Sequence, residues 1–412
     1  MKINLKCLAV PTVAIFLVVA MITAPAARAD VAYAWGFNSN GQLGDGTTTN
    51  RSTPGGVSTL SSGVTAISAG TYHNLAVRNG GVWAWGANGA GQLGDGTTTE
   101  RYAPVAVAGL SSGVTAIAGA FAHSLAVQNG IALAWGSNSA GQLGNGTTTN
   151  SSAPIAVSGL ASGVTSIAGG YQHSLALRNG GVLAWGTNTV GELGNGTTTN
   201  SSIPVAVSGL SSGVTSITAG DSHSLAVLNG GVFSWGYNGS GQLGNGTTTN
   251  SSTPGAVSGL SNGVTSIAAG GRHSLAVRNG GVWAWGLNGY GELGDGTGTD
   301  HSTPEQIDPT DLHNIIAVAA SQTASYALSF DGSIWDWGRN EVGELGLGNT
   351  TAFFVTPQHL LPPSGFVYTS LVAGSDSSHA VATLTPTPEP ASLALIALGG
   401  GALLARRRRC VP

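Results

Sequence analysis

Apolar residues along this chain come in short alternating bursts, each broken off by glycine, asparagine or threonine. In the stretch 273–292, HSLAVRNGGVWAWGLNGYGE, the runs Leu275-Ala276-Val277 and Val282-Trp283-Ala284-Trp285 flank Asn279-Gly280. Period-two alternation puts every second side chain on the same face of an extended strand. Asn-Gly between two such runs predicts a hairpin, because both central residues of a type I′ turn take positive φ. A single strand pair with one apolar face cannot bury that face alone. Nearly the same string starts at His73, His123, His173 and His223, so repetition supplies the missing partner.

Seven Trp-Gly pairs mark the period: Trp35-Gly36, Trp85-Gly86, Trp135-Gly136, Trp185-Gly186, Trp235-Gly236, Trp285-Gly286 and Trp337-Gly338. The first five steps are 50 residues and the last is 52. Each pair continues as W-G-x-N-x-x-G-[Q/E]-L-G. Between them run four β-rich segments of the types PVAV, GVTSI, HSLAV and VWAW. Such a period suits a propeller blade or a β-solenoid, and the ends decide between them. The segment VAYAWG (31–36) reads as the last strand of a unit whose earlier strands are absent, and 371–384 supplies early strands with no Trp-Gly after them. The two fragments complete one another, whereas a solenoid would need caps. The expectation is an all-β, seven-bladed β-propeller over residues 30–384, closed by pairing of the N- and C-terminal strands.

Glycine is 66 of 412 residues and only 8% are charged, against about 25% charged in ordinary domains. Low charge raises the question of a membrane, but long apolar runs occur only at the ends. Lys2 and Lys6 precede an apolar stretch from Leu8 to Ile22, followed by Ala27-Arg28-Ala29. This is the pattern of an export signal over residues 1–29, cut after Ala29. Residues 385–412 hold a Pro-rich spacer with Pro388-Glu389-Pro390, an apolar run from Ala391 to Ala405, and Arg406, Arg407, Arg408 and Arg409. As a helix that run spans about 22 Å, short of a hydrocarbon core of about 30 Å. The tail resembles the PEP-CTERM sorting signal of Gram-negative bacteria. The resemblance implies processing by an exosortase, transient membrane anchoring through the short helix, and a place at the cell surface or outside it.

Removing both ends changes the charge and cysteine picture. Cys7 and Cys410 leave with them, so the body has no thiol chemistry. From Asp30 to Glu389 seven arginines face eighteen acidic residues, a formal charge of −11. Nucleic-acid binding needs a basic face to displace counterions, and no basic cluster exists here.

W-G-x-N-x-x-G-[Q/E]-L-G together with A-G-x-x-H-S-L-A resembles the regulator of chromosome condensation repeat, whose members fold as seven-bladed propellers. The resemblance covers residues 31–384. Each Trp of a Trp-Gly pair is expected between neighbouring blades, and Gly36, Gly41 and Gly44 where a loop needs positive φ or close approach. His73, His123, His173, His223 and His273 share one position, with Ser325 and Ser377 assigned to it in the other blades. They read as structural, each donating to a neighbouring loop carbonyl, since copies on separate blades are poorly placed to meet on one metal ion. Asp45, Asp95 and Asp295 alternate with asparagine in GDGTTT-type loops, too few carboxylates for calcium, and read as turn residues.

No catalytic residue, cofactor or metal ligand is expected. Phe353, Phe354, Leu360, Leu361 and Phe366 are a candidate contact patch, weighed against simple covering of the closing blade's edge. The sequence therefore points to an exported, non-enzymatic binding or scaffold propeller that meets extracellular polysaccharide or a surface protein. Two alternatives stand beside it: a secreted protein inhibitor resembling the β-lactamase inhibitory propeller, for which Tyr72, Tyr102, Phe121, Tyr171, Tyr237 and Tyr290 are scattered contact candidates, and a polysaccharide lyase or hydrolase using the repeated histidines.

Overall fold

The structure is a computed structural model that describes residues 30–307, 312–374 and 379–387. Ala27, Ala29, Pro388, Glu389, Pro390 and Arg406 to Arg409 lie outside the described residues. Among the described residues there are 28 strands and no helix, grouped in seven four-stranded antiparallel sheets.

Blade 1 shows the plan. Val64–Ala69 is innermost, followed outward by His73–Arg78, Gly81–Gly86 and Arg101–Ala106. The two middle strands pair from His73 opposite Gly86 to Arg78 opposite Gly81. Asn79 and Gly80 turn the hairpin with φ of 52° and 80°, the left-handed pair that Asn-Gly was expected to supply. Blades 2 to 6 repeat the plan with inner strands starting at Val114, Val164, Val214, Val264 and Ile315. The inner strands line a central channel of about 280 Å³, where Ile67, Ile117, Ile167, Ile217, Ile267 and Val318 take equivalent positions.

Blade 7 is built from both ends of the described chain, in the order Phe366–Ala373, His379–Pro386, Val31–Gly36, Arg51–Gly56. Val31 lies opposite Leu384, and pairing continues without a break to Gly36 opposite His379. The ring is closed, as the complementary ends implied. One detail differs: Val31–Gly36 is the third strand of its sheet, and the outermost is Arg51–Gly56. The PVAV-type segment therefore ends a blade instead of beginning one, so closure joins two strands to two. Its proline marks it as an edge strand, but a sequence does not show to which side the edge belongs.

Each seam between blades is a separate apolar cluster with one indole at its centre. Trp185 of blade 3 is fully buried against Leu125, Val127, Leu143, Val157 and Leu160 of blade 2. Burial of one indole is worth about 4–6 kcal/mol of gross hydrophobic free energy, and seven fully buried indoles occupy seven seams.

Candidate binding face

The seams also carry a polar relay, which decides what the histidines do. The Nε2 atoms of His73, His123, His173, His223 and His273 lie 2.8–3.0 Å from the hydroxyls of Ser124, Ser174, Ser224, Ser274 and Ser325 on the next blade. Those hydroxyls donate to main-chain carbonyls of the histidine's own blade, such as Ser174 to Gln142 at 2.9 Å. A hydroxyl has a single hydrogen to give. Having given it to the carbonyl, the serine accepts from the imidazole, so Nε2 carries the proton and Nδ1 does not. The same carbonyl accepts a second bond, from the Trp185 indole at 2.8 Å. Histidine and loop carbonyl on one blade thus meet serine and tryptophan on the next. Burial holds the imidazoles neutral and lowers their pKa values to about 3 or 4.

The expected histidine partner, a loop carbonyl, is therefore reached through a serine on the next blade. The assignment of the shared position also needs correction. Ala324, opposite Gly338, holds the histidine position in blade 6, while Ser325 is that blade's serine. In blade 7 the residue opposite Gly36 is His379, not Ser377. The serine's constancy was visible in H-S-L-A, but its target is a main-chain atom and leaves no mark in a sequence.

Other repeated residues serve their own loops. Asn188 accepts from the Leu193 amide and donates to the carbonyls of Thr197 and Thr199, which pins the long loop shut. Gly36, Gly41 and Gly44 have φ of 102°, 75° and 65°. A Cβ on Gly144 would stand 2.7 Å from the Trp185 indole nitrogen. The three loop aspartates accept from threonine two residues on and pair with a base six residues on: Asp45 with Arg51, Asp95 with Arg101, Asp295 with His301. Where the loop carries Asn145, Asn195 or Asn245, residues 151, 201 and 251 are serines. The acid follows its basic partner, and among the described residues no group of three or more His, Cys, Asp or Glu is placed to hold a metal ion.

The candidate patch does not assemble. Leu360 is buried in the closing seam, and Phe354 and Phe366 pack against that core. Phe353 and Leu361 are exposed, but they flank the strand Phe353–Leu360, whose ends are about 23 Å apart. Alternation sends successive side chains of an edge strand to opposite sides, so five apolar residues in sequence do not form one surface.

The two faces of the disc differ. One face carries the Asn-Gly turns of blades 1 to 5, the Asp331-Gly332 turn of blade 6 and the links between blades, which are nearly the same at 58–63, 108–113, 158–163, 208–213 and 258–263. The other carries the turns after the inner strands and the long loops after Trp-Gly. On this second face the repeats diverge. The residue after each Trp-Gly differs in all seven blades: Phe37, Ala87, Ser137, Thr187, Tyr237, Leu287, Arg339. The two residues before the histidine position differ in all six blades where they are described, 71–72, 121–122, 171–172, 221–222, 271–272 and 322–323. A backbone hydrogen bond ties the two sets together in each of those blades, as Tyr237 N to Ser222 O at 2.8 Å. Aromatic residues that look scattered in the sequence meet here. Phe121 stacks on Tyr171 at 3.9 Å between centroids, and Tyr72 meets Phe121 edge-on at 6.4 Å. Beside them Tyr171, Thr189, Glu192, Asp221, Tyr237 and Arg272 line a cavity of about 370 Å³.

The model of the RCC1-like domain matches residues 21–276 and 161–385. This chain belongs to the RCC1-like domain family. The PEP-CTERM protein-sorting motif matches residues 386–409, so the RCC1-like propeller is followed by a signal that indicates export to the surface or exterior of a bacterial cell. Among curated proteins there is no match. Of solved structures, Prp20p from Saccharomyces cerevisiae superposes with a TM-score of 0.77 at 22% identity, covering 88% of this chain and 93% of that one. Its published structure concerns binding to Gsp1p and histones. Human WBSCR16 gives 0.77 at 24% identity, covering 88% and 100%. These likenesses establish a shared fold for the RCC1-like propeller.

Proposed function

We propose that this RCC1-like propeller is an exported, non-enzymatic binding or scaffold protein of a Gram-negative cell surface or extracellular matrix, delivered by an exosortase. The observation that carries the reading is the division of labour among its repeats. Tryptophan, histidine, serine and the loop asparagine are spent on the seams and loops, while the three positions that change from blade to blade without repetition lie on one face. The histidines that would serve a lyase or hydrolase are fully buried, neutral and bonded across the seams, which leaves them no access to substrate. The reading is tested by producing the full chain in cells with and without an exosortase. The expected result is a surface or released protein that has lost Cys410, and retention of the intact tail in membranes of the deleted strain. Cytoplasmic retention, or identical processing in both strains, would refute it.

A further inference from the structure

The cavity on the variable face has no copy between other blades, because residues from the variable positions line it. Of the side chains described at the three variable positions, only Tyr171 and Arg272 are exposed, and both border it. The Arg272 guanidinium lies 5.6 Å above the Tyr237 ring, which fixes both across the mouth. Phe121 backs Tyr171 from the neighbouring blade, so the exposed ring is held in place. Thr189, Glu192 and Asp221 bring hydroxyl and carboxylate oxygens to the same space.

We propose that this cavity and the Tyr72–Phe121–Tyr171 arc beside it bind a neutral polysaccharide, which deepens and rests on the exported binding role above. The apolar C–H face of a pyranose ring needs a flat aromatic surface, and its rim of hydroxyls needs acceptors and donors close by. A backed tyrosine beside two carboxylates, a hydroxyl and a guanidinium supplies both. The cavity lies within the usual size of small-ligand sites, about 300–1,000 Å³. Charge selects against a polyanion: the chain from Asp30 to Glu389 carries a formal −11, Asp221 and Glu192 stand in the cavity, and Arg272 sits over Tyr237. A protein partner would use the same tyrosine and arginine as anchors, and a crosslink from position 171 tells the two apart.

The test uses the protein as its producing cell delivers it, run in native gels containing hydroxyethylcellulose, galactomannan, dextran or, as the anionic comparison, alginate. At least one neutral glycan retards the wild type. Tyr171→Ala and Tyr237→Ala each weaken that retardation roughly ten-fold, the size of effect expected for a central anchor. Tyr171→Phe, which keeps the ring, stays close to wild type, and so does Phe330→Ser on the opposite face. Circular dichroism confirms that each variant is folded; Tyr171 lies in the turn between two strands and belongs to none of the buried seam clusters. Retardation by alginate alone, by no neutral glycan, or equally in wild type and both alanine variants overturns the proposal. So does a benzoylphenylalanine at position 171 that crosslinks to a protein while every glycan gel stays silent. A protein that reaches the surface but passes all gels freely overturns the glycan site alone, whereas one that never leaves the cytoplasm overturns the exported role with it.

Discussion

Replacing one relay histidine with glutamine isolates what its burial costs in acid. In His123→Gln the amide nitrogen can take the place of Nε2 and donate to Ser174, and the new side chain does not titrate. Burial, with smaller contributions from His173 and His73, lowers the His123 pKa to about 3, whereas an unfolded histidine titrates near 6.5. A folded value below the unfolded one means that stability is intact above about pH 6.5 and falls as the unfolded chain takes up a proton that the native imidazole refuses. Near pH 5 the slope is about 1.4 kcal/mol per pH unit for this one group, and the accumulated loss relative to pH 8 is about 2 kcal/mol. Glu192, Glu292, Glu344 and Asp336 act in the opposite sense, because burial raises their pKa values. They are common to both proteins and cancel in the difference. Urea unfolding of wild type and His123→Gln at pH 8, 6 and 5 should therefore show the variant gaining about 2 kcal/mol on the wild type between pH 8 and pH 5. Parallel stability curves would refute a buried, neutral imidazole and the relay built on it.

Other outcomes follow from the same geometry. Gly144→Ala forces a Cβ against Trp185 at a φ of 67°, and should cost at least about 2 kcal/mol in urea unfolding; Gly146→Ala, where only Ile203 comes within 4 Å, should cost about 1 kcal/mol. Asp95→Asn with Arg101→Ser reproduces the loop of blades whose asparagine faces serine, and should stay within about 0.5 kcal/mol of wild type. Asp336 is fully buried, with no hydrogen-bond partner for either oxygen, where blade 5 has Ala284. Asp336→Ala should therefore stabilise the protein by about 1–3 kcal/mol. Burial raises the Asp336 pKa well above its ordinary value, so its carboxyl keeps its proton at low pH and loses stability as pH rises. The gain on substitution should be larger at pH 8 than at pH 5.

The blade count and the closed ring were legible because repetition writes the period seven times and the ends are complementary halves. Asn79-Gly80 was legible because its φ angles admit few other residues. The outermost strand was assigned to the wrong side because Arg51–Gly56 and its copies lie between two sheets in sequence and resemble an edge of either. The relay was half legible: histidine and serine recur, but the main-chain carbonyl on which the serine ends leaves no mark in the sequence. The variable face was present in the sequence as three columns of unlike residues. It becomes a surface only once the bond from Tyr237 to Ser222 and its copies bring two of those columns together. The closing seam departs from the pattern as well. Trp35 Nε1 has no partner there, and the Glu344 carbonyl that it would use accepts from Tyr326 at 3.0 Å. No repeat pattern announces that exchange, because Tyr326 occupies a position that is leucine in blades 1 to 5.

A scaffold that presents one variable face requires a sealed ring, and the joint between Val31–Gly36 and His379–Pro386 is where it is sealed. Amide hydrogen exchange read by mass spectrometry addresses that joint directly. Peptides covering both strands should be protected as strongly as Gly181–Gly186 in the middle of blade 3. Exchange of the terminal strands within seconds, with blade 3 still protected, would show an open spiral and contradict the account.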